Sequence, residues 1–200
     1  TMYALHLEPK GGSYTSVKEE FAFGKPWPLT DVAIGTDGAM YISIGGRGTQ
    51  SGLYRVTYSG AESTAPVKAA ALTPEATIRR KLEGFLGKAD PAALPVAWPN
   101  LGHADRFVRF AAREVVETQP VATWQDKVFT EKNPQALITA LIALARTGDK
   151  ALRGRAADAW LSLDLSKLDT TTQLEALRAA SLIISRWGQP DSAIALRMAA

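Results

Sequence analysis

Residues 28–58, PLTDVAIGTDGAMYISIGGRGTQSGLYRVTY, decide how this chain folds. Three short runs, 31–35, 39–44 and 53–58, carry the β-branched and aromatic residues of strands. Thr36-Asp37-Gly38 separates the first two runs, and the glycine-rich 45–52 separates the last two. Asp-Gly between two alternating runs is a hairpin signal, so the stretch predicts an antiparallel meander. In the second run Met40, Ile42 and Ile44 alternate with Tyr41 and Ser43, which makes one face apolar. The glycines of 45–52 read as a long strand-connecting loop that tolerates positive φ. The meander has no closing strand of its own.

Upstream, the extended runs 2–7 and 14–21 bracket Pro9-Lys10-Gly11-Gly12, a turn signal, and predict a hairpin. Lys25-Pro26-Trp27-Pro28 then interrupts the pattern, because two prolines fix φ and remove donors. The chain starts at Thr1 inside a strand pattern, without an initiator methionine or a signal peptide, as expected of a piece of a longer protein. The strand-rich part is thus 1–58, and 59–73, rich in Ala, Ser, Thr, Pro and Gly, reads as a linker.

From 74 to 200 the periodicity is helical. Thr73-Pro74, Asp90-Pro91 and Asn133-Pro134 each set a capping side chain before a proline suited to the first helical turn. Thr172 with Glu175 has capping-box spacing, and Gly188 followed by Pro190 ends that helix. The expected helices are 74–87, 91–98, 104–118, 121–130, 134–147, 150–163, 172–187 and 190–199. Val108-Arg109-Phe110-Ala111-Ala112 recurs in form at Leu152-Arg153-Gly154-Arg155-Ala156-Ala157, 44 positions later. Such recurrence fits a helical solenoid with a period of roughly 40 to 47 residues, and an irregular helical domain with a chance match is the alternative. The fold class expected is therefore α+β.

Composition narrows function by exclusion. With 46% apolar and 22% charged residues the chain is globular, and a net charge of +3 is only mildly basic. Up to Tyr58 the charges balance, and the excess is spread over the helices rather than gathered in the stripe that nucleic-acid binding needs. No cysteine exists, so disulfides, iron–sulfur clusters and cysteine zinc sites are absent, and no apolar run approaches a membrane span. His6 and His103 are the only histidines and neither has a second ligand at metal spacing. No Gly-x-Ser-x-Gly elbow marks a hydrolase nucleophile.

The residues left to carry chemistry fall into two groups. Thr30, Asp31 and Arg47 are expected at the end of the meander. Asp31 there is either an ion ligand or base, or a carboxylate tying down a turn, and Arg47 is either a loop residue or a fork-shaped donor projecting into a pocket. The flanking Gly45-Gly46-Arg47-Gly48 matches neither a Walker loop nor a dinucleotide fingerprint. Arg106, Arg109 and Arg113 share one side of a helix and offer either a groove for an acidic partner or a solvated face, with Arg109 paired to Asp105. Trp98, Trp124, Trp160 and Trp187 are expected in the core rather than as ligand stackers.

PLTDVAIGTDGAMYISIGG followed by GLYRVTY resembles the last blade of a six-bladed β-propeller of the glucose/sorbosone dehydrogenase-like type. RRKLEGFLGKADPAALPVAWPNLGHADRFVRFAAREVV resembles the HEAT-like segment that follows it in large exported proteins of planctomycete-type bacteria, often called membrane-bound dehydrogenases. The resemblance is strongest over 26–58 and 78–147. It implies that 2–21 are outer strands of the penultimate blade and 29–58 the inner strands of the last, with the outermost strand supplied from elsewhere in the parent. It also implies an exported or periplasmic protein with a c-type haem region, and with quinone or calcium as further cofactors of the parent. None of these cofactors falls in this chain, which lacks the Cys-x-x-Cys-His attachment. Thr30, Asp31 and Arg47 are then substrate-pocket candidates, Arg106, Arg109 and Arg113 partner-surface candidates, and the partners are the remaining blades, the cytochrome region and a protein on the helices.

Overall fold

The computed structural model describes residues 1–66, 68–189 and 191. These residues form two small antiparallel sheets and seven α-helices, an α+β chain. It divides into two units, one of 1–9 with 14–71 and the other of 10–13 with everything from Leu72 onward.

In the β unit, β1 (Met2–Lys10) and β2 (Ser13–Ala22) form a two-stranded sheet. β3 (Leu29–Ile34), β4 (Met40–Gly46) and β5 (Thr49–Val56) form a separate three-stranded meander in the order β3-β4-β5. Asp37-Gly38 makes the first turn of the meander, with Gly38 at φ +77° and Gly35 and Ala39 closing it through Gly35 N–H to Ala39 O, 2.9 Å. Asp37 is more than a turn former. Its carboxylate accepts from Arg55 Nη2 at 2.9 Å and from the Tyr41 hydroxyl at 3.0 Å, linking the turn to the register pair Tyr41–Arg55. The hydrogen bond from Arg55, then those from Ala39 and Tyr41, hold the Asp37 carboxyl below its ordinary range.

The connection from β4 to β5 differs from the expected long loop. Arg47 (φ +41°) and Gly48 (φ +82°) are the two central residues of a tight turn, and Gly46 pairs with Thr49 across it. Positive φ at both central positions is the type I′ geometry that matches strand twist. Gly45 and Gly46 serve the register irregularity beside it, so β5 begins at Thr49 rather than at Leu53. The glycines were needed for curvature, not for length.

Packing in this unit is sparse. Ala39 and Ile42 are its only buried apolar residues among those described. The register sets Val32, Ile34, Met40, Ile42, Tyr54 and Val56 on one face. Ile34 is 66% exposed, Tyr54 48% and Val32 43%, so that face is apolar but uncovered within the unit.

The helical unit has its own core. α1 (Pro74–Glu83), α3 (Arg106–Glu117), α5 (Pro134–Thr147) and α7 (Thr170–Trp187) form a row in which each packs on the next. Short helices alternate with them: α2 (Ala93–Ala97) on α1 and α3, α4 (Gln125–Val128) on α5, and α6 (Arg153–Leu161) on α5 and α7. α5 sits at the centre with Leu137, Ile138, Ala140, Leu141, Leu144 and Ala145 all buried, the composition of a helix apolar nearly all round. Trp124, Trp160 and Trp187 are buried as expected, and Trp98 is half-buried with its indole N–H donating to Glu131 at 2.8 Å.

Helix starts follow the caps, with two adjustments. Thr73 and Asn133 cap α1 and α5 by accepting from Ala76 N–H (3.0 Å) and Ala136 N–H (3.1 Å), with proline in the first turn. Asp90 accepts from Ala92 N–H, and its own amide is taken by Gln119, so the chain turns once more before α2 starts at Ala93. For α7 the cap is Asp169, not Thr172: Asp169 Oδ1 accepts from Thr172 N–H, and the helix starts at Thr170. Asp105 caps α3 through Phe107 and Val108 amides and also accepts from Gly12 N–H at 2.8 Å, which brings the turn 10–13 into this unit. The expected 121–130 and 150–163 each begin with a 3-10 turn, at Val121–Thr123 and Lys150–Leu152. The expected helix 190–199 lies outside the described residues apart from Asp191.

The recurrence read between 108–112 and 152–157 joins non-equivalent helices. The first lies on α3, in the row of long helices, and the second runs onto α6, one of the alternating short ones. What the two share is a pair of buried small residues, Ala111-Ala112 and Ala156-Ala157, that lets neighbouring helices approach.

Candidate functional site

α3 buries Val108, Ala111, Ala112, Val115 and Val116, which leaves Arg106, Phe107, Phe110 and Arg113 on the side away from that apolar stripe. An open groove of about 580 Å³ runs along this side of α3. Its floor is Thr139 and Ile142 of α5, and its far wall is Thr171 and Glu175 of α7. All three arginines picked out from the sequence, Arg106, Arg109 and Arg113, line this groove.

They do not form a simple solvated face. Arg109 is only 13% exposed at its side chain; it donates to the carbonyls of His103 (2.9 Å) and Ala104 (3.0 Å) and to Glu175 Oε1 at 2.9 Å. Its acid partner is thus Glu175, 66 residues away, and not Asp105, whose carboxylate is spent on the cap and on Gly12. Glu175 Oε2 accepts from Gln135 Nε2 at 2.6 Å, so one carboxylate ties α3, α5 and α7 together. Arg113, 12% exposed, pairs with Glu117, and Glu117 also lies 2.9 Å from Arg146. Arg106 is exposed and has no carboxylate partner among the described residues.

Aromatic rings support two of the three cations. The Arg106 guanidinium stands 5.1 Å over Phe107 and that of Arg113 5.0 Å over Phe110. Arg113 is engaged at both ends, Nη1 by Glu117 and Nη2 facing Glu114 at 3.9 Å, whereas the exposed Arg106 keeps its N–H groups for an incoming acceptor. Phe107 is 38% exposed and Phe110 52% exposed. The groove therefore offers one exposed cation, Arg106, beside apolar surface, which suits recognition of a mixed anionic and apolar ligand.

Two further clefts are occupied by structural work. In one, Asn133, Asp169 and Thr172 are committed to helix caps and Gln135 to Glu175. In the other, Arg155 stacks on Phe129 at 3.9 Å and pairs with Asp126 at 2.9 Å.

Thr30, Asp31 and Arg47 do come to the same end of the three-stranded sheet, since Leu29 pairs with Ile44 beside the Arg47-Gly48 turn. Thr30 is the extra residue of a register shift; its hydroxyl lies 2.9 Å from Ser43 Oγ and donates to Ser43 O at 3.1 Å. Asp31 lies inside β3 rather than ahead of it, pairs in register with Ser43, and accepts from the next amide, Val32 N–H, at 2.8 Å, with no turn to tie down. Arg47 is exposed on the turn. Among the described residues no group of three His, Asp or Glu is close enough to hold a metal ion, and His6 pairs with Glu19 at 2.6 Å. No helix among them is long and apolar enough to cross a membrane.

Comparison of the chain with protein-family models, with curated proteins and with solved structures finds no match.

Proposed function

We propose that this chain is the closing part of an exported β-propeller protein of the glucose/sorbosone dehydrogenase-like kind, linked to c-type haem electron transfer. The strands supply the ends of the last two blades, and the helices are a HEAT-like spacer or docking surface. One observation carries this reading: the three-stranded meander exposes a contiguous apolar face, Val32, Ile34, Tyr54 and Val56, around a single buried Ile42. A propeller blade is a four-stranded sheet stacked face to face on its neighbours, so a three-stranded sheet with an uncovered apolar face has the form of a blade awaiting one strand and its neighbours. Thr30, Asp31 and Arg47 at one sheet end are then this chain's share of a substrate pocket completed by other blades. The alternation of long and short helices supports the solenoid reading of the rest.

The test is expression of the complete reading frame that contains this chain, followed by haem staining and dye-linked oxidation of aldose sugars. Blade repeats upstream, covalent haem and sugar oxidation are the expected result. A reading frame without blade repeats overturns the propeller assignment. Blades with neither haem nor oxidation leave the second reading, a non-catalytic scaffold for a polymer or protein partner, which the arginine-lined groove favours.

A further inference from the structure

We propose that the groove over α5 binds an acidic, amphipathic protein segment. A carboxylate of that segment pairs with Arg106, and its apolar side chains lie on Phe107, Phe110 and Ile142. The proposal rests on the docking-surface part of the reading above and is independent of its propeller and haem parts.

Charge sets the class of occupant. Three guanidiniums line the groove, but Arg109 is compensated by Glu175 and Arg113 by Glu117, and only Arg106 is uncompensated among the described residues. A nucleic-acid backbone needs several cations to replace its condensed counterions, and this groove has too little residual charge for that. A single carboxylate is a better match. The apolar half of the surface points the same way. Phe107 and Phe110 stay exposed beneath the arginines stacked on them, so an occupant must bury hydrocarbon as well as satisfy charge.

Spacing refines the occupant. Arg106 and Phe110, both exposed, are four residues apart on α3, about 6 Å at 1.5 Å per residue. A carboxylate and an apolar residue at positions i and i+4 of a partner helix span the same distance. The groove is also ready-made. The Arg109–Glu175–Gln135 link fixes α3, α5 and α7 relative to one another, so docking needs little reordering of the walls.

The experiment pans a phage-displayed library of random 12-residue peptides on the whole chain, and in parallel on the variant Arg106→Glu/Phe110→Ser. Both positions are exposed, so the variant should keep its helical circular dichroism and thermal midpoint; should it not, the two single variants replace it. The expected result is enrichment, on the unaltered chain only, of peptides combining at least one carboxylate with apolar residues. The best synthetic peptide, followed by fluorescence polarisation, should lose at least tenfold in affinity with Arg106→Glu and with Phe110→Ser. Replacing its Arg106-facing glutamate by lysine should restore binding to Arg106→Glu. The proposal is overturned if nothing is enriched over the variant, if the enriched peptides lack carboxylates, or if a 20-nucleotide single-stranded DNA displaces the peptide at equal concentration. Acidic-peptide binding without haem or blades in the reading frame would sink the dehydrogenase reading and keep the groove.

Discussion

The two units of this chain solve the burial problem in opposite ways. The helical unit closes a core on itself: α5 is buried along most of its length, and Leu82, Leu101, Val108, Trp124 and Ile183 belong to the same core, fully or almost fully covered. The β unit buries only Ala39 and Ile42 among its described apolar residues and leaves Leu5, Leu7, Ile34, Leu53 and Phe23 more than half exposed. Both are well hydrogen-bonded locally, so the difference lies in tertiary packing. A ladder satisfies the backbone, but apolar burial is what offsets conformational entropy. The comparison teaches that one unit carries a core of its own and that the other, among its described residues, buries almost none.

The largest effect that could break this contrast comes from cutting the chain. A protein lacking residues 1–66 should keep cooperative thermal unfolding of its helices, whereas residues 1–71 alone should show no cooperative transition by circular dichroism. A sharp transition in the β piece would erase the distinction. Next, Leu141→Ala at the centre of α5 should lower unfolding free energy by about 3 kcal/mol in urea titration, from lost burial and the cavity left behind. The matched change in the sheet, Ile34→Thr at a 66% exposed site, should stay within about 0.5 kcal/mol. Glu175→Ala should cost about 2 kcal/mol, because it strands Arg109 and Gln135 without their shared acceptor.

A smaller effect is pH-dependent. Burial pushes the Asp105 carboxyl up, but the amides of Gly12, Val108 and Phe107, with His103 nearby, outweigh it and hold the group below its ordinary value of 3.8. A depressed folded-state value means the stabilisation is complete above that ordinary value and is lost as pH falls through the lower one. Asp105→Ala should remove about 1 kcal/mol at neutral pH. Asp105→Asn, which can still cap but cannot titrate, should unfold with a shallower acid dependence below pH 3.8. The smallest effect is expected from Arg55→Ala at the exposed Asp37 pair, whose midpoint shift should be within the scatter of replicate melts.

Much of the secondary structure was legible in the sequence because it depends on near neighbours. Thr73-Pro74 and Asn133-Pro134 start helices where capping chemistry says they must. Gly188, at φ +82°, ends α7 as its lack of a Cβ allows. The misplacements have local rivals behind them. Asp169 lies three residues ahead of Thr172 and won the same cap, and the glycines of 45–48 served a type I′ turn and its irregularity rather than a loop. The site was half legible. Arg106, Arg109 and Arg113 share a side by helical spacing alone, so the near wall could be read. Thr139, Ile142 and Glu175 come from helices whose positions are fixed only by packing, and nothing local to Arg109 announces an acid 66 residues on. Asp105, the nearer acid, was the natural but wrong partner because its oxygens satisfy backbone amides.

The most direct test of the contrast between the units is native-state amide hydrogen exchange of the whole chain, resolved by residue. The amides of α5 from Ile138 to Ala145 should exchange only through global unfolding, while those of β3, β4 and β5 exchange at least a hundredfold faster through local opening. Protection of β4 equal to that of α5 would contradict the account, since it would mean the sheet needs no further partner to be stable.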